Sequence, residues 1–249
     1  TLLLFNLAGM LVLPSARDAV TFYVALETAT IPLFLLVAWR RDAAGAEAAI
    51  KYLVVGALAS ALLLYGLGLL YGLTGTLELA QMGRVLPPIA ATWLAVALVL
   101  AGLGFKLTVA PLHTWAPQVY TGAPLPVAAW LSVGSKGAAL AALLLVAHRV
   151  AGQHLATIAP ALAVLAALTM TVGNLGALVQ SNVMRLMAFS AVSQAGYLLM
   201  GLCGGSREGA AALTYYLLVY AVTNLAVFVV IALVHHHTAS HDLGAWRGL

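Results

Sequence analysis

The sequence predicts an all-α, polytopic membrane protein with about eight transmembrane helices, one of them broken by proline, in a single membrane domain over residues 1–249. Two observations carry this. Hydrophobic residues make up 63% of the chain and charged residues only 7%, against roughly 45–50% and about 25% in soluble domains. The apolar residues also run in stretches near the ~20 residues that cross a bilayer as a helix. Transmembrane strands would instead show short alternating segments. A soluble fold cannot use so much apolar surface, because its exterior must stay hydrated.

The expected spans can be taken in chain order. The first, 1–13, is short and reads as cut, and Arg17 and Asp18 lie in the loop after it. The second, 19–39, ends at Arg40, Arg41 and Asp42. The third, 46–73, is followed by Thr74-Gly75-Thr76 and a polar connection over 78–88. The fourth, 89–110, runs into Pro111, Pro117, Gly122, Pro124 and Pro126, interleaved with His113, Trp115, Gln118 and Tyr120. The fifth is 127–147, the sixth 155–179, the seventh 183–203 and the eighth 209–234. Arginines divide evenly between alternate loops, so the positive-inside rule assigns no orientation.

The remaining totals exclude several classes. A net charge of +4 without a basic run gives no footprint for nucleic acid. Cys203 is the single cysteine, so no internal disulfide, cysteine zinc site or iron–sulfur cluster can form within the chain. No phosphate loop, dinucleotide fingerprint or zincin motif is present. His235-His236-His237 with His241 read as a plain loop rather than a metal site. Gly68 with Gly72, and Gly134 with Ala138, have the spacing of helix-packing faces. Trp93, Trp115 and Trp130 read as packing or interface residues. Asn174, Gln180, Ser190, Ser193 and Gln194 either hydrate a path or bond between helices.

The lysines are the informative residues. The chain has three, Lys51, Lys106 and Lys136, each in or near an apolar span, whereas every arginine lies at a span end or in a loop. A mid-membrane lysine costs about 2.5–3.5 kcal/mol on insertion scales, so such residues need a reason. Glu27 lies mid-span, and Glu47 stands four residues before Lys51, on the same helix face. Pro111 is expected to break the helix after Lys106, and freed backbone at membrane depth is tolerated beside hydrated cavities. His113, two turns beyond Lys106 on a roughly helical path, exchanges protons near neutral pH. The functional reading is a proton relay of Glu27, Lys106, Lys136, His113, Lys51 and Glu47. The bland readings are ion pairs that lock helices and an interfacial histidine.

Four stretches then resemble a known family. They are Ala25-Leu26-Glu27-Thr28-Ala29-Thr30-Ile31-Pro32-Leu33, Glu47 through Ser60, Gly104-Phe105-Lys106 through Tyr120 with Ser135-Lys136, and Arg185 through Leu199. In order and spacing the chain resembles the N-type antiporter-like membrane subunit of respiratory complex I, the proton-pumping NADH:quinone oxidoreductase. The resemblance implies that the chain is the central portion of a fourteen-helix subunit, its fourth to eleventh helices. It implies Glu27 as the modulating acid, Lys106 as the central lysine on the broken helix, Lys136 as the link to a second half-channel and His113 along the route. Glu47 and Lys51 fall on family positions too. Gln118 stands where aspartate is common and Gln194 where histidine is common.

The resemblance also sets the expected role and setting. The chain acts as a translocase subunit with no cofactor or metal of its own. NADH, flavin, iron–sulfur clusters and quinone sit in partner subunits. Partners are the other membrane subunits of complex I, its peripheral redox arm, lipid and protons, in a bacterial plasma membrane with Arg40 and Arg41 on the cytoplasmic side. The rivals are a subunit of a multisubunit sodium/proton antiporter and a structural membrane scaffold.

Overall fold

The computed structural model describes residues 1–204 and 206–248, apart from the side chains of Gln153 and Arg207. Among the described residues the chain is helical throughout, with isolated bridges as its only β pairing. The helices are α1 (Leu2–Val12), α2 (Ala19–Val37), α3 (Ala43–Thr74), α4 (Leu79–Val85), α5 (Ala90–Leu107), α6 (Ala116–Gly122), α7 (Leu125–Trp130), α8 (Lys136–Arg149), α9 (Leu155–Leu178), α10 (Val183–Cys203) and α11 (Arg207–Thr238). Among the described residues seven helical stretches are long and apolar enough to cross a membrane, and the apolar stretch Leu2–Ser15 is shorter. α7 and α8 form one such stretch, joined by a π turn at Leu131–Ser135.

The spans correct the sequence reading at five places. The connection over 78–88 contains a helix, α4. Gly83 sets that helix close against the chain at Arg149, where an added Cβ would lie 2.1 Å from the carbonyl oxygen. The third span starts at Ala43, where Asp42 caps it by accepting from Gly45 N at 2.7 Å. The fourth ends at Leu107, before Pro111, because Thr108 takes a left-handed conformation at φ 65°. The eighth runs on to Thr238, so His235, His236 and His237 lie on a helix and not in a loop. Gly68 and Gly72 meet nothing within 4 Å of an added Cβ, so they make no helix contact within the chain. The close approaches use other glycines, such as Gly66 on Val99 and Gly102 on Leu63.

The chain contains an internal repeat at a constant offset of 164 residues. Asp18 bridges Glu78, and Asn182 bridges Asp242 (18 to 182, 78 to 242). Ala19 N bonds Leu77 O and Leu79 N bonds Arg17 O; Val183 N bonds His241 O and Leu243 N bonds Ser181 O. Gly75 and Ala239 both adopt left-handed backbone as the C-caps of α3 and α11. Gly9 packs on the backbone of Ala29, and Gly173 packs on that of Ser193. Thus α9, α10 and α11 repeat α1, α2 and α3. Five crossings separate the starts of the two units, an odd number, so the second enters from the opposite side. Consistently, Arg40, at the far end of α2 from Asp18, is near enough to act electrostatically on His241.

Two apolar cores hold the bundle. One, around Leu63, Val99, Leu103 and Leu143, joins α3, α5 and α8. The other, around Tyr52, Phe105, Trp115 and Met187, joins α3, the broken α5–α6 and α10. The outward faces of α9 and α11 stay apolar and mostly uncovered.

Candidate functional site: the broken helix and its lysines

α5 stops one residue after Lys106, and the chain turns through 108–115 before α6 begins. Thr108 N bonds Phe105 O at 3.1 Å and Val109 N bonds Gly104 O at 2.8 Å, which closes the end of α5. Ala110 N donates to Thr169 Oγ1 on α9 at 3.2 Å, so one freed backbone donor finds a side chain. The Ala110–Pro111 peptide is cis. An aromatic cluster ties the two halves together. Tyr52 stacks on Trp115 and Phe105 at 4.6 and 5.6 Å, and Trp115 Nε1 donates to Phe105 O at 3.3 Å. Trp115 and Trp130 are therefore packing residues, and Trp93 meets His154 edge to face.

Lys106 and Lys136 are 6% and 1% exposed. The Lys136 ammonium carries three donors and meets three oxygens: Leu107 O at 3.1 Å, Thr108 Oγ1 at 3.0 Å and Ala191 O. Lys106 donates to Thr30 Oγ1 on α2 and lies 5.3 Å from the Phe105 ring centre. A small cavity of about 10 Å³ lies between Lys106, Thr30 and Ser135 of the π turn. The Lys136 ammonium therefore bonds the backbone of the break, whereas that of Lys106 turns to α2. Among the described residues neither lysine forms an ion pair with a carboxylate.

Glu27 sits on the same face of α2 as Thr30, three residues earlier. Ser60 of α3 donates to its Oε1 at 2.5 Å. The carboxylate also lines a groove of about 360 Å³ with Phe5, Tyr23 and Ile31, open to the outside of the chain. His113 is half-buried beyond the break, near the Phe189 ring. Glu47 and Lys51 form the expected i,i+4 ion pair, but with side chains 65% and 46% exposed on the outer face of α3. The structure thus gathers Glu27, Lys106 and Lys136 around the break, leaves His113 beside it, and keeps Glu47–Lys51 apart.

Sequence reasoning missed Thr30 and Thr108, whose hydroxyls touch the ammoniums, and Ser60, which serves Glu27. The i,i+3 spacing of Glu27 and Thr30 was the available signal for Thr30. Asn174, Gln180, Ser190, Ser193 and Gln194 line a separate polar cavity of about 450 Å³, and Tyr216 donates to Gln194 across α10 and α11.

Inverted repeats, a helix broken at its lysine and a second buried lysine at the break define a membrane protein of the antiporter-like class. A profile of the family described as "NADH:quinone oxidoreductase/Mrp antiporter, TM" matches residues 16–249, and the chain belongs to that family. It is an integral membrane protein. It is 46% identical over 250 residues to NADH-quinone oxidoreductase subunit N 1 of Solidesulfovibrio magneticus, covering 100% of this chain and 54% of that one. Among solved structures it is similar to a chain of respiratory complex I from Thermus thermophilus with bound aureothin. There the TM-score is 0.81 and the identity 42%, over 92% of this chain and 50% of that one. It is also similar to a chain of the membrane-bound sulfane sulfur reductase, an archaeal respiratory membrane complex. That match has a TM-score of 0.88 and 28% identity, over 100% of this chain and 52% of the other. The chain spans about half the length of the curated relatives it matches.

Proposed function

We propose that the chain is the central part of a proton-translocating membrane subunit of an NADH:quinone oxidoreductase. Redox chemistry in a peripheral arm, with NADH, flavin, iron–sulfur clusters and quinone in partner subunits, would be coupled to proton movement through this one. The carrying observation is the pair of buried lysines at the break. Lys136 has an oxygen for each of its three donors, whereas Lys106 bonds one hydroxyl beside a small cavity. A proton passing between them needs a short rearrangement of Thr108 and the backbone of the break, not an unfolding of the bundle. Glu27, one turn from Thr30, biases the Lys106 end through its charge, and His113 exchanges protons beyond the break. Glu47 and Lys51 enter as a surface pair toward the Arg40 end of α3. The membrane is a bacterial plasma membrane, and the neighbours are other membrane subunits of the same complex.

The test uses the full subunit in its assembled complex, in inverted membrane vesicles. Lys106→Ala is expected to preserve assembly and NADH oxidation by the peripheral arm while lowering proton pumping per electron pair. Unchanged pumping stoichiometry defeats the relay. The family also contains Mrp antiporters. A complex that purifies without redox subunits and exchanges Na⁺ for H⁺ without NADH favours that reading.

A further inference from the structure

We propose that the π turn at Leu131–Ser135 is held by two buried asparagines, Asn6 and Asn224, and that both are positioning residues for Lys136. The functional consequence rests on the proposed relay; the geometry does not. An α-helix turns about 100° per residue, so the extra residue of a π turn rotates the rest of the helix by about that angle. Lys136 is the first residue after the turn. On an uninterrupted α-helix its side chain would leave α7 about a quarter-turn away from the three oxygens it meets. The turn thus decides whether the ammonium faces Thr108 and Ala191.

Such a turn is rare and needs support from outside the helix. Two pairs of bonds supply it. Asn224 of α11 donates from Nδ2 to Ser132 Oγ at 2.6 Å, and Ser132 donates in turn to Ala129 O at 2.6 Å. Trp130, the last residue before the turn, donates from Nε1 to Asn6 Oδ1 at 2.7 Å, and Asn6 Nδ2 donates to Ala29 O on α2. Asn6 and Ser132 are 0% exposed and Asn224 is 5% exposed. Where water cannot substitute, removing one partner leaves the other unsatisfied. α1 and α2 therefore grip one end of the turn and α11 grips its middle.

The repeat separates this arrangement from ordinary interhelical bonding. Asn224 lies 164 residues after Ser60 (60 to 224), whose hydroxyl serves Glu27. The residue at the matching offset from Glu27 is Ala191 (27 to 191), so the second unit has no acid there to serve. Asn224 reaches across to the π turn instead, and the carbonyl of Ala191 receives Lys136. A position that tends the carboxylate in one unit tends the lysine's turn in the other.

The experiment takes Asn224→Ala, Ser132→Ala, their double variant and Ser132→Thr in the full subunit within the assembled complex. The cryo-EM map of each is read at residues 130–136, and assembly, redox turnover and protons pumped per electron pair are measured. Expected is an α-helical register at 131–135 with Lys136 turned off Thr108 in both alanine variants. Pumping per electron pair falls about threefold or more with redox turnover kept, the double variant is no worse than either single one, and Ser132→Thr behaves as the parent. A π turn unchanged in both alanine variants overturns the clamp, as does a parallel loss of assembly, redox turnover and pumping in both. A lost π turn with normal pumping supports the clamp and overturns the relay reading instead.

Discussion

The ammonium of Lys106 reaches the hydroxyl of Thr30, one helical turn along α2 from Glu27. Thr30 itself donates to Leu26 O and the carboxylate accepts from Ser60, so a change at Glu27 reaches Lys106 as an altered field and not as a broken bond. Thr30→Val keeps the shape but removes that acceptor. Loss of a buried acceptor costs about 1–3 kcal/mol, and more where the donor is charged. Lys106→Met removes the charge together with its need for a partner, and such replacements are often neutral or stabilising. Thr30→Val is expected to lower the thermal midpoint of the detergent-solubilised complex, whereas Lys106→Met keeps it and abolishes pumping. Thermal-shift and vesicle-quenching assays on the same preparations check both halves.

Ser60 fixes the Glu27 carboxylate from α3, so the direction of that charge depends on a residue 33 positions away. Ser60→Ala leaves the acid in place with one acceptor unfilled. Pumping is expected to fall less than in Glu27→Gln, and Ser60→Ala in the Glu27→Gln background is expected to add little. A double-mutant cycle on pumping stoichiometry reads this coupling; strict additivity contradicts the contact's role.

How much of the fold and the site was legible depends on the demands of each residue's surroundings. The spans could be read because twenty apolar residues in a row have few alternatives. α4 could not, since seven residues carry too little periodicity and its place is set by Gly83 lying on the chain at Arg149. Pro111 announced a break, but the helix ends at Thr108, whose left-handed backbone is a tertiary choice. The i,i+4 spacing paired Glu47 with Lys51 correctly. It could not say that they face outward, because in a lipid-facing bundle both sides of a helix are apolar and the usual polar stripe is missing. Thr108 was invisible for a related reason, and Thr30 showed only its i,i+3 spacing from Glu27. Threonines that merely bond back to their own helix, such as Thr28 and Thr171, look the same in sequence.

Trp115 is the side chain that joins the two sides of the break. It is buried, stacks on Tyr52, and donates to Phe105 O on the far side of the turn. Trp115→Phe keeps most of the packing and loses the bond, at a cost of about 1 kcal/mol. Trp115→Ala removes both, and truncation of a buried tryptophan costs about 3–5 kcal/mol. The alanine variant is expected to reduce the amount of assembled complex sharply and the phenylalanine variant only slightly. Blue-native gels of membranes from both strains, with redox turnover normalised to subunit content, distinguish them. Equal assembly in the two variants contradicts the clamp assigned to the indole ring.

The strap after α11 carries an acid-sensitive contact outside the spans. His241 stacks on His235 with ring centres 4.1 Å apart and planes 10° from parallel, and its carbonyl accepts from Val183 N. Partial burial pushes the His241 imidazole below its ordinary value, and His235 and Arg40 push the same way. An imidazole lowered on folding stabilises the folded chain through its neutral form. That contribution is complete above the unfolded value of about 6.5 and is lost as pH falls through the lower folded value. Acidification below about pH 6.5 is therefore expected to loosen the pairing of 181–183 with 241–243, through a second cation arising beside Arg40 and in the ring stack. Amide exchange at Val183 and Leu243 is expected to quicken over that range, while exchange at Ala19 and Leu79, in the matching pair of the first unit, stays flat. His241→Phe keeps the stack without the charge and is expected to abolish the acid response. An unchanged response in that variant removes His241 as the source of the sensitivity.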